Sequence, residues 1–171
     1  NIGGFSKAVT YSISDTATAI AGAGATALNE AVNITATTAA TVAQATTIDS
    51  ATNNGSNSYS LSDTSANLAA AASTVGNGAS TITAIDSATV AQATAIEGFT
   101  NSGVNTYNIS DTSANLAASS NAVLTLAGTV TASNAATAVE ATNIGGFSKA
   151  VTYSISDTAT AVAGAGATAL N

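Results

Sequence analysis

One short pattern returns four times along the chain. It reads "YSISDT" at 11–16, "YSLSDT" at 59–64, "YNISDT" at 107–112 and "YSISDT" at 153–158. The aspartates inside it, Asp15, Asp63, Asp111 and Asp157, are spaced by 48, 48 and 46 residues. Residues 1–29 return as 143–171 with a single change, Ile20 becoming Val162. Self-similarity at a fixed period marks an array in which each unit buries its core against its neighbours. Residues 1–171 therefore read as one segment of a tandem array. Residues 1–142 form one super-repeat of three units of about 48 residues, and 143–171 begin the next.

Each unit divides again. A second pattern lies between the "SDT" motifs: "NITATTAATVAQATTI" at 33–48, "TITAIDSATVAQATAI" at 81–96 and "TVTASNAATAVEATNI" at 129–144. Aligning the central aliphatic residue of every motif gives Ile13, Ile34, Leu61, Ile82, Ile109, Val130 and Ile155, with steps of 21, 27, 21, 27, 21 and 25. Polar residues flank each of these, which is the period-two alternation of a half-buried strand. Two positions earlier, Tyr11, Tyr59, Tyr107 and Tyr153 alternate with the smaller Val32, Ser80 and Gly128. Two positions later, the aspartates alternate with Ala36, Ala84 and Ala132. Strands in register lie about 4.8 Å apart. An interposed alanine keeps like charges on the order of twice that distance apart, which reduces their repulsion. The alternation is explained if successive coils stack as parallel strands.

Alanine-rich runs follow the strands: "DTSANLAAAAS" at 63–73, "DSATVAQATAI" at 86–96 and "NAATAVEATNI" at 134–144. Alanine is the best helix former. Asp15, Asp63, Asp86, Asp111, Asn134 and Asp157 precede these runs and read as helix N-caps, with Thr38 equivalent to Asp86 and Asn134. Gly22, Gly24, Gly76, Gly98, Gly128 and Gly145 read as C-caps and turns. The expected fold is an α/β solenoid, leucine-rich-repeat-like, with a strand and a short helix in each coil. The alternative is an all-β parallel β-helix, which the abundant Thr, Ser, Asn and Gly would suit.

Composition removes several function classes. The net charge is -7, and Lys7 and Lys149 are the only basic residues, so phosphate neutralisation is out of reach and no nucleic-acid partner is expected. Without His or Cys there is no Ser-His triad, no thiol nucleophile and no Cys/His metal site. The uncharged stretch 64–85 is too rich in Ser, Thr, Asn and Gly to insert in a membrane. Low charge with ample aliphatic residues indicates a folded chain.

The motifs "SDTSANLAA" (62–70 and 110–118), "ATVAQATAI" (88–96) and "GFTNSGVNTYNISDT" (98–112) resemble a tandem repeat of very large bacterial surface and secreted proteins. These proteins are called S-layer-like, adhesin-like or haemolysin-like. The resemblance covers nearly the whole chain. It implies an extracellular, cell-surface, elongated structural protein. The calcium motif of such proteins, of the form GGxGxD, is absent, since "NIGGFSK" lacks the acid. No calcium site is carried over.

The recurring aspartates read as structural caps, with no catalytic residue, no metal ligand and no cofactor. Gln44, Gln92 and Glu140 recur on the helices as a solvated face or an amide ladder. The hydroxyl columns are the candidate binding face: Ser14, Thr35, Ser62, Thr81, Thr83, Ser110, Thr129, Thr131 and Ser156. Hydroxyls at strand spacing would suit a polysaccharide, ice or a neighbouring rod. The expected function is that of a structural, non-enzymatic segment of a stalk, surface layer or fibre. Its expected partners are other copies of the same repeat, end to end or laterally.

Overall fold

The computed structural model describes residues 9–170. Strands and helices interleave along the chain. The first unit holds β1 (Ile13–Asp15), α1 (Ala17–Ala21) and α2 (Ala25–Glu30). The second holds β2 (Ile34–Ala36) and α3 (Val42–Asp49). The third holds β3 (Asn57–Ser58), β4 (Leu61–Asp63), α4 (Ser65–Ala69) and α5 (Ser73–Gly78). The fourth holds β5 (Ile82–Ala88) and α6 (Val90–Glu97), and the fifth β6 (Asn105–Asp111), α7 (Ser113–Ala117) and α8 (Asn121–Leu126). The sixth holds β7 (Val130–Ala132) and α9 (Ala138–Gly145), and α10 (Ala159–Gly164) and α11 (Ala167–Leu170) end the order. The chain is α/β, with two parallel sheets ordered β1-β2-β3 and β4-β5-β6-β7. Units with two short helices alternate with units holding one helix of 8 residues. A single short helix in every coil, as expected from the alanine runs, is thus found in alternate units only.

The strand register follows the columns over the short steps. Ile13, Ser14 and Asp15 stand opposite Ile34, Thr35 and Ala36. Leu61, Ser62 and Asp63 stand opposite Ile82, Thr83 and Ala84, and Ile109, Ser110 and Asp111 opposite Val130, Thr131 and Ala132. Asp15, Asp63 and Asp111 therefore each have an alanine across the ladder.

Over the long steps the register differs. Ile34 faces Asn57, and Leu61 faces Ala40. Likewise Ile82 faces Asn105, while Ala88 faces Ile109. Thr83 pairs with Thr106 and Ser87 with Asn108, so β5 carries two residues more than β6 over the same span. That bulge shifts the pairing, and the ladder steps sideways wherever a one-helix unit meets the next.

The core is a run of aliphatic side chains: Ile34, Leu61, Ile82, Ile109 and Val130 from the strands, and Ile20, Ile48, Leu68, Ile96, Leu116, Leu124 and Ile144 from the helices. Helices of 5 to 8 residues would be marginal alone, so these packed side chains hold them. Tyr59 and Tyr107 are buried, and each hydroxyl donates to a carbonyl 16 residues on, of Val75 and Val123, at 3.0 Å. The Tyr11 hydroxyl makes the same bond to Ala27 at 2.8 Å and that of Tyr153 to Ala169 at 3.0 Å.

The glycines act mainly through small size. Gly22 and Gly98 cap helices in the right-handed region, Gly24 precedes α2, and Gly166 alone among the described residues has positive φ, at 77°. Gly76 lies inside α5 beneath the Phe99 ring, where a Cβ would overlap it. Gly145 lies inside α9, under the Thr168 carbonyl.

Candidate functional site

The polar chemistry concentrates where strands turn into helices. The first N–H groups of a helix have no partner within it. At α3 those of the first and third residues, Val42 and Gln44, meet side-chain acceptors. The Thr41 hydroxyl accepts from Gln44 N–H at 3.3 Å, and Gln44 Oε1 accepts from Thr41 N–H at 3.0 Å. This reciprocal capping box recurs as Thr89 with Gln92 and Thr137 with Glu140. The N–H of the first helical residue, Val42, donates to Asp63 Oδ2 at 2.9 Å from the next unit, 21 residues away. Val90 N–H donates in the same way to Asp111 Oδ2 at 2.9 Å, and Ala138 N–H to Asp157 Oδ2 at 3.1 Å.

The two-helix units use the same device. Their N-caps are Thr16, Thr64, Thr112 and Thr158, whose hydroxyls accept from Ala19, Asn67, Asn115 and Ala161. The next N–H again finds a side chain from the following unit. Ala17 donates to Thr38 Oγ1 at 3.0 Å, Ser65 to Asp86 Oδ1 at 2.6 Å and Ser113 to Asn134 Oδ1 at 2.8 Å. Asp86 lies in the bulge of β5, in the extra residues that displace the ladder.

This corrects the capping assignment. Asp15, Asp63, Asp86, Asp111, Asn134 and Asp157 are not the N-caps; the threonines are. In the "SDT" motif the aspartate sits one residue before the cap. Its Oδ1 accepts the N–H of that threonine, at 2.7 to 2.8 Å. In Asp63, Asp111 and Asp157 the second oxygen reaches the adjacent unit's helix. The Gln column is corrected too. Gln44, Gln92 and Glu140 complete the capping boxes and also reach the previous unit, meeting Thr18 at 3.0 Å, Ser65 at 3.1 Å and Ser113 at 3.0 Å.

These contacts set the acidity. Burial raises the pKa of Asp63, but hydrogen bonds from Asn67, Val42 and Thr64 outweigh it and hold the carboxyl below its ordinary range. Burial and the bonds from Asn115, Val90 and Thr112 have the same balance at Asp111. Backbone N–H donors of Ala138 and Thr158 lower Asp157, and the Thr137 N–H with the Ser113 hydroxyl lowers Glu140. A carboxylate so held is a poor proton acceptor. A groove of about 360 Å³ lies beside Asp111, lined by Thr89, Val90, Asn115 and Ser119.

A second polar cluster escaped the sequence reading. Tyr59 lies beside Asp49, and burial followed by that carboxylate pushes its pKa up to about 12. Burial and Glu97 raise Tyr107 in the same way. Nearby, Asn57 Nδ2 donates to Ile48 O at 2.9 Å and Asn105 Nδ2 to Ile96 O at 3.1 Å. The Asn57 Oδ1, Asn105 Oδ1 and Glu97 Oε1 atoms are buried without a hydrogen-bond partner among the described residues. The available signal was the recurrence of an acid at 49 and 97 and of Asn at 57 and 105, each pair 48 residues apart.

The hydroxyl face is present in pieces. Ser14, Thr35, Thr81, Thr83, Thr129, Thr131 and Ser156 are exposed, and Ser62 and Ser110 are half-buried. They do not form one continuous column. The register groups Ser14 with Thr35 and Ser58, Ser62 with Thr83 and Thr106, and Ser110 with Thr131 and Thr152. Each bulge offsets one row from the next.

Among the described residues no group of three or more acidic side chains stands close enough to hold a metal ion, and no helix is long and apolar enough to cross a membrane. Compared with known protein families, curated proteins and solved structures, the chain matches none.

Proposed function

We propose that this chain is a structural repeat segment of an extracellular bacterial surface or filament-forming protein, built as an α/β solenoid. One observation carries the reading. Recurring polar positions at the strand-to-helix corners, Asp63 and Asp111, Asp86 and Asn134, Gln92 and Glu140, bond to the helix start of an adjacent unit. This repeated chemistry joins units together. The role is mechanical, with no catalysis and no cofactor, and the partners are further copies of the same repeat. Analytical ultracentrifugation over a wide concentration range, with electron microscopy of the concentrated protein, tests it. Association that grows with concentration supports the filament role. A monomer at every concentration removes it.

The stepped hydroxyl rows favour a second reading, an adhesin face for polysaccharide. Thr35, Thr83 and Thr131 are exposed, and each lies at strand spacing from the serine of its own row, Ser14, Ser62 and Ser110. A glycan array comparing the protein with Thr83→Lys tests this reading. A signal that is lost in the variant supports it, and no signal for either protein rejects it.

A further inference from the structure

The self-association proposed above has a specific geometry, which rests on that reading. Units with two helices alternate with units of one, and the alternation has physical content. A two-helix unit presents an aspartate and a tyrosine, while its neighbour presents alanine and a smaller residue at the same rungs. The units starting at β1 and at Val151 are both of the two-helix kind. Abutting them directly would set Asp157 beside Asp15 and Tyr153 beside Tyr11, the pairing that the alternation avoids.

Another arrangement keeps the alternation. Residues 143–171 match 1–29 at every position but one. Every contact that β1 and α1 make with β2 and α3 is therefore available to the matching segment of a second copy. These contacts are Ile13 N–H on Asn33 O at 2.8 Å, Val32 N–H on Tyr11 O at 2.7 Å and Thr37 N–H on Asp15 O at 2.8 Å. To them add Ala17 N–H on Thr38 Oγ1 at 3.0 Å and Gln44 Nε2 on Thr18 Oγ1 at 3.0 Å. The counterparts in the second segment are Tyr153, Ile155, Asp157, Ala159 and Thr160.

We infer that two copies associate by exchange. The first unit of one copy opens, and the segment 151–170 of a second copy takes its place against β2 and α3. The incoming unit then lies between two one-helix units, as β4 with α4 and β6 with α7 already do. Its half-buried Tyr153 and exposed Asp157 gain the setting in which Tyr59 is 2% and Asp63 8% exposed. The contacts formed with β2 and α3 match those released, so exchange is governed by concentration and by how readily the β1 unit opens. The one difference favours the resident unit, because Val162 is a methylene smaller than the buried Ile20.

Cysteine cross-linking of the full chain tests this, since the protein has no cysteine of its own. Ser14 and Thr35 are register partners, and parallel neighbours lie about 4.8 Å apart, within disulfide reach. Ser156 is the counterpart of Ser14. With a thiol oxidant added at high protein concentration, Thr35→Cys/Ser156→Cys is expected to form intermolecular disulfides and a ladder of oligomers. Adding Val162→Ile or Thr18→Ala is expected to raise the cross-linked fraction several-fold. Ser14→Cys/Thr35→Cys locks the resident unit in place and should abolish association. Cross-linking of Ser14→Cys/Ser156→Cys in place of Thr35→Cys/Ser156→Cys would show direct abutment. That result overturns exchange and leaves self-association standing. Sedimentation as a monomer with neither pair cross-linking overturns both.

Discussion

Asp63 Oδ2 accepts the backbone N–H of Val42 at 2.9 Å, across 21 residues of sequence and from one unit to the next. Its other oxygen accepts from Thr64 at 2.8 Å, and Asn67 donates to the same atom at 2.9 Å. One carboxylate thus closes the start of two helices, its own and its neighbour's. The helices are too short to persist alone, so a side chain that satisfies one while belonging to another couples adjacent units directly.

Asp63→Ala is expected to destabilise the protein by about 1–3 kcal/mol, because the Val42 N–H loses its acceptor in a partly buried place. Asp63→Asn should be milder, since Asn134 performs the equivalent task at Ser113. Urea denaturation of both variants checks the order Asp63 above Asn above Ala.

Acid should loosen the fold. Asp63, Asp111, Asp157 and Glu140 have folded pKa values below the ordinary one. Unfolded, these groups titrate at about 3.9–4.3. Over that range the unfolded chain binds more protons, so stability falls as pH falls. The contribution is complete above the unfolded values and disappears as pH drops through the folded ones. Thermal melts from pH 7 to pH 2 should show a steep loss below about 4. Asp63→Asn should flatten it.

Alkali acts through Tyr59 and Tyr107. Tyr59 titrates near 12 when folded and near 10 when unfolded. Its stabilising contribution is intact below about 10 and is lost as pH rises through the folded value. Tyr107→Phe gives up the bond to Val123, at a cost of about 1 kcal/mol at neutral pH. The same variant should lose less stability between pH 9 and pH 12 than the parent, measured by urea denaturation at each pH.

Gly103 sits where a Cβ would overlap the Ser80 carbonyl oxygen, and Gly55 meets the Val32 carbonyl in the same manner. Both mark the close passage of a loop over the preceding unit. Gly103→Ala and Gly55→Ala should each cost about 1–3 kcal/mol as overpacking against backbone. Gly24→Ala, with nothing near its Cβ, should be close to neutral. Melting temperatures of the three variants check this.

The sequence disclosed much of the rung pairing and less of how the rungs connect. The alternation of Asp15, Asp63 and Asp111 with Ala36, Ala84 and Ala132 identified the strand partners over the short steps, because only in-register stacking gives such alternation a reason. The long steps were misread at Leu61. Motif similarity set it on Ile34, whereas it pairs with Ala40, and an alanine in a "TTAAT" run carries no sign of a buried strand position. The bulge that shifts the register is two residues of length, visible only against the partner strand. In "SDT" both the aspartate and the threonine are good caps. The threonine takes the cap in all four copies, and the second oxygen of Asp63, Asp111 and Asp157 goes to a neighbouring unit, a relation absent from local sequence. The hydroxyl rows were legible as residues, while their offset follows from the same bulge.

Amide hydrogen exchange, read residue by residue, tests most directly whether units are joined through their helix starts. First-turn N–H groups have no partner within their own helix and ordinarily exchange fast. The account predicts slow exchange at Val42, Val90, Ser65 and Ser113, and selective loss of protection at Val42 in Asp63→Ala. Fast exchange at all four in the parent protein, or protection at Val42 unchanged by Asp63→Ala, would contradict it.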